Sequence, residues 1–204
     1  MELNHEIARD LLSIQAVQIK TDSYFTWTSG IKSPIYCDNR LTMSYPAVRK
    51  KIMKAFIQKI KKMDEKPDVI AGCATAGIPH AAWLAEGMEL PMIYVRSKTK
   101  GHGKENLIEG TLEKGQKVLV IEDLISTGGS SIKAAQAVQE HGGKVIDILS
   151  IFTYGLDKAK QQFLNARLSY QSLTNYDEVL HILVEDGKIE DNERKQLEAW
   201  RNEL

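Results

Sequence analysis

From residue 67 onward the chain repeats one unit: a short apolar run, a loop of small residues, then a stretch with helical spacing. Pro67 precedes the strand-like Asp68-Val69-Ile70-Ala71, and a loop over 72–77 opens a helix over 78–86 that Gly87 is expected to end. Pro91-Met92-Ile93-Tyr94-Val95 reads as the next strand. Gly115 then turns the chain into Lys117-Val118-Leu119-Val120-Ile121, an apolar run that suits a strand buried on both faces. A helix over 130–141, closed by Gly142-Gly143, leads to a strand over 145–152, and residues 167–173 offer one more. Thr174 is expected to cap a helix reaching Leu183, and a charged helix over 191–204 follows, with Leu197 and Trp200 inward. Strands alternating with helices pair in parallel through right-handed crossovers. Such sheets hold ligands outside the carboxyl ends of their strands. The loops over 72–77, 97–110 and 122–131 are therefore expected to meet on one edge.

The first third of the chain is organised differently. Residues 4–15 form an amphipathic pattern with Asn4 as its expected N-cap and Ile7, Leu11 and Ile14 on one side. Residues 21–40 are rich in Thr, Ser, Gly and aromatics and read as short strands and turns. Ser44 is expected to cap a second helix with Pro46 in its first turn and Val48, Ile52, Phe56 and Ile60 inward.

A chain of 204 residues fits one domain. At that length roughly 70% of the unfolded surface is buried on folding. The 27 basic and 27 acidic residues cancel, which argues against a nucleic-acid binder driven by bulk charge and against a polybasic membrane anchor. No apolar run reaches the roughly 18 residues a membrane span needs, and the polar N-terminus carries no secretory pattern. Cys37 and Cys73 lack the spacing of a disulfide framework or a zinc site, so reduced thiols in a cytoplasmic protein are expected.

The segment after the run at 117–121 carries the chemistry. Glu122 and Asp123 stand where a strand end would present carboxylates to sugar hydroxyls. Ser126-Thr127-Gly128-Gly129-Ser130 then supplies hydroxyls and glycines just before a helix, where free N–H groups and the helix dipole favour a phosphate. Neither a P-loop nor a dinucleotide-binding glycine fingerprint is present here. Upstream, Arg96-Ser97-Lys98-Thr99-Lys100-Gly101-His102-Gly103-Lys104 is basic and broken by glycines. It reads either as a solvated surface loop or as a lid that brings Lys100 and His102 onto a polyphosphate, with Arg96 as a clamp at a strand end. The scattered His5, His80, His141 and His181 read as surface or packing residues.

The stretch from Val118 to Ser130, with Glu122-Asp123-Leu124-Ile125-Ser126-Thr127-Gly128-Gly129-Ser130 at its centre, closely resembles the signature of type I phosphoribosyltransferases. Arg96, Lys100-Gly101-His102-Gly103 and Leu107-Ile108-Glu109-Gly110 resemble the lid of the orotate phosphoribosyltransferases. Phe25-Thr26-Trp27-Thr28-Ser29-Gly30-Ile31-Lys32-Ser33-Pro34-Ile35-Tyr36 resembles their N-terminal signature, and Gly72-Cys73-Ala74-Thr75-Ala76-Gly77-Ile78-Pro79 their diphosphate-binding loop.

The resemblance implies an α/β chain with the type I phosphoribosyltransferase fold. That is a central, mostly parallel sheet over residues 65–173 flanked by helices, a small hood built from residues 1–40, and a mobile lid over 97–110, all in one domain over 1–204. It implies that the 5-phosphoribosyl group passes from phosphoribosyl diphosphate to orotate, giving orotidine 5-monophosphate and pyrophosphate, a step of pyrimidine nucleotide synthesis. Glu122 and Asp123 would hold the ribose hydroxyls, and Leu124, Ile125, Ser126, Thr127, Gly128, Gly129 and Ser130 would wrap the 5-phosphate. Ser126 would also reach the orotate. Arg96, Lys100 and His102 would contact the diphosphate, with Lys100 and His102 catalytic. Magnesium would ride on the diphosphate, and the enzyme would be a homodimer whose lids act in trans.

Several positions depart from the commoner family pattern: Ser97 and Thr28 where lysines are frequent, and Thr75-Ala76 where Tyr-Lys is frequent. The arginine that often holds the orotate carboxylate, after the strand at 145–152, has no clear counterpart beyond Lys158. The residues alone leave two alternatives open: a transferase for a purine or xanthine, and a non-catalytic regulator that senses phosphoribosyl diphosphate.

Overall fold

The computed structural model describes residues 3–20, 24–26, 32–97 and 107–203. It opens with α1 (Leu3–Ser13), β1 (Val17–Ile19), β2 (Phe25–Thr26), β3 (Lys32–Ser33), β4 (Ile35–Cys37), a 3-10 turn (Asn39–Ser44) and α2 (Pro46–Lys61). The repeating units follow as β5 (Val69–Cys73), α3 (Gly77–Met88), β6 (Met92–Val95), β7 (Ile108–Glu109), β8 (Lys117–Ile125), α4 (Gly129–Glu140) and β9 (Lys144–Thr153). The chain closes with α5 (Asp157–Ala166), β10 (Tyr170–Asn175), α6 (Tyr176–Glu185) and α7 (Asp191–Asn202).

Six strands form one sheet in the order β10-β9-β8-β5-β6-β7. All pairings are parallel except that of β7, which runs antiparallel along β6. The apolar run of β8 lies near the middle, and Val118, Leu119, Val120 and Ile121 are fully buried. The crossover through α3 steps from β5 to β6, and that through α4 steps the other way, from β8 to β9. Right-handed connections stepping in opposite directions place these helices on opposite faces. The early strands stand apart from this sheet as two antiparallel pairs, β1 with β4 and β2 with β3. They match the expected short strands, although the pairing already begins at Val17. Among the described residues no helix is long and apolar enough to cross a membrane.

The differences from the sequence reading have local causes. β8 does not stop at Ile121. It continues to Ile125 because β9 runs on to Thr153 and supplies partners at Ser150, Phe152 and Thr153 for Glu122, Leu124 and Ile125. α3 continues through Gly87 and is closed by Glu89 in the left-handed region (φ 55). Gly87 instead lets α2 approach: a Cβ there would lie 3.0 Å from Met53 Sδ. Ser44 ends the 3-10 turn, and α2 begins after Tyr45 without a side-chain cap. Asn4 lies within α1, and its amide donates to Glu178 Oε2 at 3.1 Å. Thr174 stays in β10, and Asn175 caps α6 by accepting from the Glu178 N–H at 2.9 Å. α5 was not expected. Arg167 ends it in the left-handed region (φ 54), which delays the last strand to Tyr170.

Candidate active site

The chain leaves β5 toward β6 on one side and later returns to build β8, β9 and β10 on the other. The strand order therefore reverses between β5 and β8, and a crevice opens outside their carboxyl ends. Residues 74–76 follow β5 and form one wall, and the Ala74–Thr75 peptide is cis. This wall is held close to β8 because Gly77 has no side chain. A Cβ there would fall 2.4 Å from the Ile121 carbonyl oxygen.

Glu122 and Asp123 lie at this switch point. The Glu122 side chain is buried. Its Oε1 accepts from the Asp123 N–H at 3.1 Å, and its Oε2 from the Ser130 hydroxyl at 3.1 Å. Burial, followed by the charge of Asp123, raises the Glu122 pKa from the ordinary 4.5 to about 8. Burial also raises that of Asp123, against the opposing pull of Arg40. The same desolvation, with Glu122 beside it, pushes the Cys73 thiol up, so it is no nucleophile.

Ser126, Thr127 and Gly128 make the bend from β8 into α4. Gly128 has φ +85, and the Ser131 hydroxyl donates back to its carbonyl at 3.1 Å. The Thr153 hydroxyl donates to the Ile125 carbonyl at 3.0 Å and holds the strand end in place. The first-turn N–H groups of α4 have no intrahelical acceptors. The bend thus presents main-chain and hydroxyl donors a few residues from two carboxyl groups. It can take up an anion and a diol at once. Leu124 and Ile125 belong to the strand; Ile125 is buried, and half-buried Leu124 lines the cleft beside Asp123.

Arg96 follows β6, with its N–H donating to the Leu107 carbonyl at 2.8 Å and its Nη1 3.5 Å from Glu109 Oε1. It lines a cavity of about 560 Å³ together with Cys73, Ala74, Leu107, Gly129 and Ser130. Described residues of all three expected loops meet there: Cys73 and Ala74, Ser97 and Leu107, and Gly129 and Ser130. Lys100 and His102 lie outside the described residues. His80 is a packing residue: it is buried against Trp83 with ring centroids 5.4 Å apart, and burial lowers its pKa to about 4. Among the described residues no group of three or more His, Cys, Asp and Glu could hold a metal ion.

The structure also brings in residues that the sequence reading missed. Cys37, Asp38 and Arg40, from β4 and the turn after it, face Glu122, Asp123 and Leu124 across a cleft of about 360 Å³. Asn39, fully buried, donates its amide to the Asp123 carbonyl at 2.7 Å. Tyr154, just after β9, is buried with its hydroxyl in hydrogen-bond contact with the Cys37 main chain. Only the polar run Asp38-Asn39-Arg40 after an apolar strand could have hinted at this. The rings of Phe25 and Tyr36 pack with centroids 5.6 Å apart, and Tyr36 keeps an exposed face. Trp27 lies outside the described residues.

Comparison with known proteins adds to this geometry. Residues 43–177 match the model of the phosphoribosyl transferase domain. The chain is 59% identical over 202 residues to the orotate phosphoribosyltransferase of Oceanobacillus iheyensis, covering 99% of this chain and 100% of that one. Among solved structures it superposes on orotate phosphoribosyltransferase from Aeropyrum pernix with a TM-score of 0.76 and 27% identity, over 87% of this chain and 97% of that one. It also superposes on Leishmania donovani UMP synthase with a TM-score of 0.80 and 26% identity, over 98% of this chain, and spans 42% of that longer protein.

Proposed function

The chain belongs to the orotate phosphoribosyltransferase family, and on that premise we propose that it transfers the 5-phosphoribosyl group of phosphoribosyl diphosphate to orotate, releasing pyrophosphate, in pyrimidine nucleotide synthesis. One observation supports this most: buried Glu122 and half-buried Asp123 stand beside the donor bend 126–130 at the switch point of the sheet. Ionised carboxylates accept the ribose 2- and 3-hydroxyls, and the bend takes the 5-phosphate. The two grips fix the anomeric carbon between the adjoining cavity, where the diphosphate sits beside Arg96, and the cleft below β4, where the base sits.

The bond from the anomeric carbon to the diphosphate oxygen breaks, and its electron pair leaves with pyrophosphate. Orotate attacks as the anion that has already lost its N1 proton to solvent, and the N1 electron pair forms the new bond. Charge therefore builds on the leaving group while the sugar becomes cation-like. Arg96, together with Lys100 and His102 of the segment that resembles the family lid, stabilises that charge, and His102 can donate a proton. Magnesium enters as part of the substrate on the diphosphate. Two carboxyl groups suit this, since magnesium sites commonly combine few carboxylates with substrate phosphates. The family resemblance further supports a homodimer with the lid of one subunit over the site of its partner, and the free Cys37 and Cys73 suit the cytoplasm.

The test is direct. The protein is mixed with magnesium, phosphoribosyl diphosphate and orotate, and the loss of orotate absorbance is followed, with hypoxanthine, adenine, xanthine and uracil in parallel. Consumption of orotate is expected. Consumption of a purine in its place would overturn the reading.

A further inference from the structure

We infer that Arg40 is the residue that recognises the carboxylate of the base. The inference rests on the reading of the preceding subsection that orotate is the acceptor. Orotate differs from uracil by a carboxylate at carbon 6, next to the attacking nitrogen. Moving that charge from water into a cleft costs free energy unless a cation meets it. The cleft under β4 makes the difficulty worse, because Asp38, Glu122 and Asp123 all line it. Among the described residues lining this cleft, Arg40 carries the one positive charge.

The guanidinium is held ready for this role. Its Nε donates to Asp38 Oδ1 at 2.6 Å and its Nη2 to Asp38 Oδ2 at 2.8 Å, so Asp38 fixes the plane of the fork. The Arg40 N–H also donates to Asp38 Oδ1 at 3.1 Å, which ties the pair to the start of the 3-10 turn. Nη1 takes no part in these bonds, and an arginine can serve a second carboxylate from that side. The side chain is 62% exposed, so its charged end stays open to an incoming ligand. Its field reaches Asp123, whose carboxyl it helps to keep ionised.

Other cations are placed less well. Arg96 lines the neighbouring cavity and faces Glu109. Lys158 is exposed on α5 and does not line this cleft. Tyr154, just after β9, is buried and carries no positive charge.

The experiment compares orotate with methyl orotate, its uncharged ester, in the full-length protein and in Arg40→Gln. Binding is measured calorimetrically, and KM values in the forward assay. In Arg40→Gln, orotate affinity should fall about ten-fold or more, the usual scale for losing a charge-assisted hydrogen bond. Methyl orotate affinity should not change. Equal losses for the acid and the ester would overturn the assignment. Asp38→Asn is the second variant. It keeps the guanidinium and removes its competing anion, so orotate should bind as well or better. A loss like that of Arg40→Gln would mean that the pair serves the turn instead. Failure of the wild-type protein to use orotate at all would strike the preceding reading, because orotate binding is measured here without turnover.

Discussion

The side-chain amide of Asn39 donates to the main-chain carbonyl of Asp123 at 2.7 Å, joining residues 84 apart in the chain. Asn39 is fully buried in the turn after β4, and Asp123 lies on the extended end of β8. The bond therefore ties the separate small strands to the strand that carries the acidic pair. Asn39→Ala would leave the Asp123 carbonyl without this donor, although it also removes a buried Oδ1 that lacks a partner. The net cost should be about 1–2 kcal/mol of stability. Urea unfolding would measure it, and the KM for phosphoribosyl diphosphate should rise as Asp123 loses its support.

Glu122 makes stability depend on pH in a definite direction. Its carboxyl has a pKa of about 8 in the folded chain against an ordinary 4.5, so between those values the folded form holds a proton that the unfolded form has released. Stability from this group is greatest at the acid end of that window and falls as pH rises through it. Urea midpoints of wild type and Glu122→Gln from pH 5 to pH 9 should diverge, with the variant gaining relative to wild type as pH rises, a window set by the same two pKa values. A constant difference would contradict the assignment. Binding of phosphoribosyl diphosphate near neutral pH should also release protons, seen as a dependence of the calorimetric heat on the buffer.

Gly128 and Gly129 are adjacent but should respond in opposite ways to alanine. At Gly128 the backbone is left-handed (φ +85), and a Cβ would fall 2.5 Å from Phe163 Cε2. Gly128→Ala should cost about 2 kcal/mol or more from backbone strain and overpacking together. Nothing lies within 4 Å of a Cβ at Gly129. Gly129→Ala should keep the wild-type Tm and weaken phosphoribosyl diphosphate binding, because the added methyl would enter the space proposed for the 5-phosphate. Thermal melts and KM values separate the two effects.

Lys100→Ala should lower turnover by about 10²-fold or more while leaving orotate affinity nearly intact, as expected for a cation that acts on charge developing in the transition state. Steady-state rates with a separate orotate binding measurement check this, and equal losses in both would refute the role.

Parts of the fold were readable because their cause is local. Val118, Leu119, Val120 and Ile121 are apolar in succession, a pattern that solvent on either face would forbid, and they form the buried middle of the sheet. The acidic pair and the glycine-hydroxyl bend are contiguous, so their chemistry could be read as one motif. α5 escaped notice because its only buried side chains are Ala159 and Phe163, too thin a stripe to show a period. The extension of β8 depended on how far β9 runs, which no property of residues 122–125 announces.

Local composition and periodicity thus settled the alternating strands and helices, the edge of the sheet that carries the ligand loops, and the acidic pair next to its donor bend. Folding in three dimensions alone decided that Asn39 braces Asp123, that Tyr154 contacts Cys37, and that Arg40 shares a cleft with Glu122. The reason is physical. A strand's burial and a bend's donors follow from neighbours a few residues away, whereas a contact between two distant segments exists only once the sheet has set the direction of both.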